Sequence, residues 1–155
     1  MMIKINVITS NVNWLKYIKN PKKYFDQKIK KLNLKNDKYI KTDFFLTILL
    51  SGSKEIKSLN NKFRNKNKET DVLSFPFYSK KDLNDNLKKE KEVYLGDIII
   101  NLSKIYNKKN NKKFKLEFDK LWIHGLLHLF GYDHIKNKDF AKMSYIEKKI
   151  FPFNK

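Results

Sequence analysis

Cysteine is absent from the 155 residues, which excludes disulfides, thiolate metal sites and cysteine nucleophiles together and fits a reducing cytoplasm. No stretch is apolar enough to span a bilayer. The longest run, Phe44 to Leu50 with Thr47 inside it, falls far short of the roughly 20 residues required. The opening MMIKINVITSNVNW lacks the basic start, long apolar stretch and small-residue cleavage site of a signal peptide. No Gly/Ser- or Pro-rich linker and no internal repeat divides the chain. The expectation is a soluble cytoplasmic protein with no membrane partner, folded as one domain over residues 1–155.

Arginine is nearly absent as well. Arg64 stands alone among 35 basic side chains, in a chain of formal charge +19. The surplus of lysine and asparagine reads in two ways, as a residue bias of the genome or as selection for charge. Whatever its origin, the charge attracts polyanions, and nucleic acid is the commonest one in a cell. Lysine cannot present a planar fork of donors to a phosphate, so a site needing that geometry keeps its arginine. Arg64 is therefore a candidate phosphate contact, against the alternative of a chance surface arginine.

Apolar residues make up 41% of the chain, enough for burial to drive folding. Ile3, Ile5 and Val7 alternate with Lys4 and Asn6, the pattern of a half-buried strand. From Trp14 to Leu32 the spacing is patchily helical, with Pro21 ending one segment or beginning another. Phe44 to Leu50 reads as a buried strand. Ser53 is placed to cap a helix carrying Ile56, Leu59 and Phe63 on one face. Val72 to Phe77 reads as a strand that Pro76 stops or confines to an edge. Residues 79–92 read as a polar, mobile loop, and Val93 to Ile100 as another buried strand interrupted by Gly96 and Asp97. Phe118 to Phe130 is the strongest helix, and Phe140, Met143, Ile146 and Ile150 mark a final amphipathic one. The expected class is α+β, a small mixed sheet of about four strands packed by about five helices.

All three histidines fall within His124-Gly125-Leu126-Leu127-His128-Leu129-Phe130-Gly131-Tyr132-Asp133-His134. On a helix, positions 124 and 128 share a face one turn apart, so both imidazoles can address one ion. Gly131 is suited to leave the helix through a left-handed conformation, returning His134 as a third ligand. Three neutral nitrogens suit Zn²⁺ and leave a coordination position open for water, as in a catalytic site. Ni²⁺ or another divalent ion is also compatible with imidazole ligands. The spacing matches that of metzincin proteases, but those enzymes place a glutamate after the first histidine as general base. Here that position is Gly125.

The segment HGLLHLFGYDH resembles the signature of the YbeY family of bacterial endoribonucleases that mature ribosomal RNA. LNNKFRNKNKETDVLSFPF (59–77) and LGDIII (95–100) agree with that family in order and separation, so the resemblance covers about residues 44–150. It implies a small mixed sheet packed by helices, with His124, His128 and His134 as metal ligands at the end of a C-terminal helix. It also implies that Arg64 is the family's functionally important arginine, at the mouth of the metal cleft. The implied role is maturation of the 16S rRNA 3′ end and ribosome quality control, with precursor rRNA and the ribosome or its proteins as partners. Two stretches depart from the usual pattern: the lysine- and asparagine-rich segment 102–116, and Leu121-Trp122 just before the signature.

The expected chemistry is single-strand endoribonuclease hydrolysis, in which zinc lowers the pKa of a water or polarises a phosphoryl oxygen while Arg64 holds the phosphate. Asp71, Asp97 and Asp133 could orient a histidine, or could simply cap turns. Ser74 follows no nucleophile pattern and reads as a strand residue. Phe75 and Phe77 could stack on bases or pack in the core. Two rivals remain: a metal hydrolase of another class, such as a peptidase, and a ribosome-assembly binding factor whose metal is structural.

Overall fold

The computed structural model describes residues 2–30 and 42–132. Among these residues, four strands form one mixed sheet. β1 (Ile3–Thr9) pairs in parallel with β2 (Asp43–Ser51), and β2 pairs in parallel with β4 (Glu92–Asn101). β3 (Val72–Pro76) is antiparallel to β4 and forms the outer edge, giving the order β1-β2-β4-β3. An edge position suits Pro76, which has no N–H to offer a further strand. Four α-helices accompany the sheet among the described residues: α1 (Pro21–Ile29), α2 (Ser53–Arg64), α3 (Lys80–Lys89) and α4 (Asn111–Leu129). The α+β class and the mixed four-stranded sheet read from the sequence are both present.

Period-two alternation decides what each sheet face buries. Phe44, Leu46, Ile48 and Leu50 of β2 point to one side and are fully covered there. They join Ile98 and Ile100 of β4 in the main core. The ring cluster of that core is Trp14, Phe25, Phe118 and Trp122, with Phe25 edge-on to Trp122 at 5.4 Å. On the opposite face, α2 lays Ile56 and Leu59 over Leu49, Leu73, Phe75 and Ile99. β3 is therefore held between two helices, with α4 on one face and α2 on the other.

Pro21 begins α1 at its first turn, where a missing N–H costs nothing, and Asn20 caps it through Lys23 N–H. Three expectations need correction. Ser53 is the first helical residue rather than the cap: Gly52 holds the cap position with no side-chain bond, and the Ser53 hydroxyl instead meets Asn101. Residues 79–92 are not a loop, because α3 occupies 80–89. The Ser79 hydroxyl accepts from Asp82 N–H, and Leu83 is buried with Leu87 packed beside it one turn on. The strongest helix also begins seven residues before Phe118, at Asn111, capped by Asn110. The last helix expected around Phe140 to Ile150 lies outside the described residues.

Trp122, one of the two unusual residues before the histidine signature, has a structural purpose. Its indole N–H donates to Asp119 Oδ1 at 2.9 Å, and Tyr24 OH donates to the same oxygen at 2.7 Å. Lys28 Nζ pairs with Asp119 Oδ2 at 2.9 Å. Asp119 is 1% exposed, and a charge so buried is tolerable only with such partners. The network fastens α1 to the middle of α4.

Candidate metal centre and its cleft

α4 carries the histidines because its residues after Trp122 sort cleanly by face. Ile123, Leu126, Leu127 and Leu129 are buried, while His124 and His128 are half-buried on the side toward β3. Their Nε2 atoms stand 3.0 Å apart, with the rings nearly perpendicular at 78°. Two nitrogens bound to a tetrahedral Zn²⁺ at about 2.05 Å would lie roughly 3.3 Å apart, a few tenths of an ångström more than the separation here. At this distance at least one Nε2 must present a lone pair, as neutral ligands do.

The helix end is fixed as the sequence suggested. Gly131 has φ +93°, its N–H bonds to the His128 carbonyl at 2.9 Å, and the Tyr132 N–H bonds to the Leu127 carbonyl at 3.1 Å. This pair of bonds is a Schellman motif, which turns the chain sharply away after His128. Asp133 and His134, the next two residues, lie outside the described residues. Among the described residues no third histidine or carboxylate completes a metal-binding group.

A cleft of about 380 Å³ opens beside His128, walled by Pro76, Phe77, Ser79, Lys80 and Tyr132. Lys80 Nζ lies 5.4 Å above the Tyr132 ring. Lys80 and Tyr132 escaped the sequence reading; the Ser-x-x-Asp cap at 79–82, which starts α3 at the cleft, was the signal that could have found Lys80. Phe77 is 64% exposed, whereas Phe75 is packed in the α2-side core, so the two phenylalanines have different fates.

Arg64 is the last residue of α2 and is exposed. Asn65 takes a left-handed conformation (φ 55°) directly after it, and the buried Asn60 holds the following loop through the Lys68 carbonyl at 2.9 Å. Phe63, beside Arg64, meets Phe75 of β3 edge-on at 5.6 Å. On the strand's other face, Ser74 donates to the Gly125 carbonyl. Arg64 and the histidines thus approach β3 from opposite sides, and the Arg64 side chain has no ion pair or hydrogen bond among the described residues.

Of the three candidate aspartates, Asp71 and Asp97 are described and have local duties. Asp71 Oδ1 accepts from Val72 N–H at 2.8 Å, and its carbonyl accepts from Asn101 N–H, which starts β3. Asp97 accepts from Tyr94 OH at 2.5 Å on the α2 side of the sheet, away from α4. Burial first, and that bond next, push the Tyr94 pKa upward.

The chain matches the family model for endoribonuclease YbeY over residues 8–154. It is 47% identical to the endoribonuclease YbeY of Pelagibacter ubique over 156 aligned residues, covering 99% of this chain and 97% of that one. It is 38% identical to the Thermodesulfovibrio yellowstonii protein, over 81% of this chain and 74% of its relative. It is 32% identical to that of Francisella tularensis subsp. holarctica, over 97% and 89%. With both the family model and full-length relatives in agreement, the chain belongs to the endoribonuclease YbeY family.

Proposed function

We propose that this endoribonuclease cleaves single-stranded RNA with a divalent ion, Zn²⁺ by preference, held by His124, His128 and His134. The carrying observation is the 3.0 Å approach of two imidazole nitrogens, one of them from His128 in the wall of an open cleft. An ion held by these residues would supply Lewis-acid polarisation of a phosphoryl oxygen and a bound water of lowered pKa. His124 and His128 would hold the ion through Nε2, on a helix whose face beneath them is buried. Arg64 receives the phosphate as the strand crosses the β3 edge, where its fork of donors offsets charge developing on the oxygens. Phe77, Tyr132 and Lys80 line the cleft with two rings and a cation, which suits a base and its backbone.

No carboxylate stands at position 125, and the structure gives a steric reason. A Cβ there would lie 2.9 Å from Ile98 Cγ2 and 3.0 Å from Ser74 Oγ, so helix and sheet are too close for a glutamate. This disfavours a metzincin-like peptidase. The physiological substrate on this reading is the 3′ region of small-subunit rRNA, met in the cytoplasm on the ribosome by a single domain of residues 1–155. No described helix is long and apolar enough to cross a membrane.

The test is cleavage of precursor small-subunit rRNA, alone and within ribosomes, by metal-stripped, Zn-loaded and Arg64→Lys protein. Loaded protein should cut; stripped protein should not, and Arg64→Lys should cut at least tenfold more slowly with its metal content unchanged. Equal cleavage by stripped and loaded forms would refute the metal mechanism. Full biological function in Arg64→Lys without RNA cleavage would favour the binding-factor reading instead.

A further inference from the structure

The lysine-rich segment 102–116 has no duty in the histidine cleft, yet the fold gives it a partner. Two adjoining hollows, of about 450 and 180 Å³, share Lys19 and Lys115 in their walls. Lys16, Lys108 and Lys109 complete the larger hollow, and Lys23 the smaller. Three of these lysines come from the N-terminal part of the chain and three from the stretch at the start of α4. A residue bias scatters lysine over a surface. Here tertiary structure gathers six into one continuous groove that no carboxylate lines.

The nearby acids are committed elsewhere. Glu117 accepts from the backbone N–H groups of Tyr106 and Asn107 and from the Asn107 side chain. Asp26 pairs with Lys22, and Asp119 with Lys28. None of the six groove lysines forms an ion pair among the described residues. The positive ends of α1 and α4 meet the groove too, where Asn20 and Asn111 stand in its walls. Its floor is rigid: Tyr17 stacks on buried Phe114 at 4.7 Å and 15°. Uncompensated like charges on a fixed floor repel one another, and an anionic chain laid between them relieves that cost.

The groove is distinct from the cleft. Lys115 precedes His124 by nine residues, which on a helix is about 13 Å along the axis and half a turn around it. Exposed Lys113 and Lys120 fall on the same row of α4 as His124.

We propose that this groove is an exosite for the phosphodiester backbone of the RNA, binding a segment several nucleotides from the bond that enters the cleft. Such contacts position a strand without reading its bases. The ligand class rests on the RNA substrate proposed for the cleft.

The experiment compares two fourfold variants of equal charge. One carries Lys16→Gln, Lys19→Gln, Lys108→Gln and Lys109→Gln. The other neutralises Lys4, Lys88, Lys89 and Lys91, which lie outside both the groove and the cleft. Affinity of the metal-loaded protein for an unstructured RNA of about 30 nucleotides, and for one of about five, is followed by anisotropy across a salt series before cleavage sets in. The groove variant should lose about tenfold or more on the long RNA, and its log–log salt slope should shrink by about 2 to 3. The short RNA and kcat should be unaffected, and the control variant should change by less than about threefold. Equal losses in both variants would reduce the effect to net charge and overturn the exosite, as would unchanged affinity in the groove variant. Groove-dependent binding without any cleavage by the unmodified protein would support the exosite and refute the cleavage reading alone.

Discussion

The Ser74 hydroxyl donates to the Gly125 carbonyl at 3.3 Å, which ties the edge strand to α4 at the residue after His124. The contact exists because Gly125 has no side chain to hold the two apart. Replacing it with alanine sets two effects against each other. Helix propensity gains about 1 kcal/mol. Overpacking against Ile98 and Ser74 costs about 1–3 kcal/mol, eased by the mobility of their side-chain ends. The cost should win by roughly 1 kcal/mol, lowering Tm by about 2–4 °C in a chain of this size. Gly125→Glu should destabilise far more and should not create peptidase activity. Thermal denaturation checks the first expectation, and a peptide-cleavage assay the second. A more stable Gly125→Ala would show that helix and sheet are less tightly docked than 2.9 Å implies.

Much of this arrangement was legible in the sequence because its signals are local. The one-turn spacing of His124 and His128, the left-handed exit at Gly131 and the alternation in β1 each follow from a few neighbouring residues. The polar stretch 79–92 was misread because two leucines at i, i+4 are a thin apolar stripe among charged neighbours, and only burial of Leu83 shows what they do. The Asp119 network joins residues 95 positions apart, and the lysine groove joins equally distant segments. Neither has a periodicity to betray it. Arg64 could be singled out by rarity, but its place across β3 from the histidines needed the fold.

The Asp119 network predicts a specific alkaline weakness. Burial first, and the Asp119 charge second, raise the Tyr24 pKa above its ordinary value near 10. Above that pH the unfolded chain loses the phenolic proton while the folded chain keeps it. Stability from this group is therefore complete below about pH 10 and declines as pH rises further, by up to about 1.4 kcal/mol per pH unit. Tyr24→Phe should be about 1 kcal/mol less stable at neutral pH, having lost one hydrogen bond, yet show a flatter decline above pH 10. Asp119→Ala should cost more, about 3 kcal/mol, since it also removes a bond to Lys28 and one to the Trp122 indole. Urea unfolding at several pH values measures both. Parallel curves for Tyr24→Phe and the unmodified protein would mean that the hydroxyl titrates as if solvated.

Phe77 separates a binding role from a packing one more cleanly than any other ring. It is 64% exposed at the cleft wall, so truncation to alanine removes little buried area and should change stability by no more than about 0.5 kcal/mol. Phe75, two residues earlier, is packed against α2, and its truncation should be plainly destabilising. If a base stacks on Phe77, the loss of about 1–3 kcal/mol per stacked base corresponds to a rise in KM of about 5- to 150-fold for RNA. kcat should remain near its original value, because on the proposed reading the ring holds a base rather than the scissile phosphate. Phe77→Trp should preserve affinity and Phe77→Leu should not, since leucine keeps apolar area but offers no π-face. Steady-state kinetics on a single-stranded RNA, with melting curves alongside, decide the matter. If Phe77→Leu binds RNA as well as Phe77→Trp does, the ring serves as apolar surface and no base stacks there.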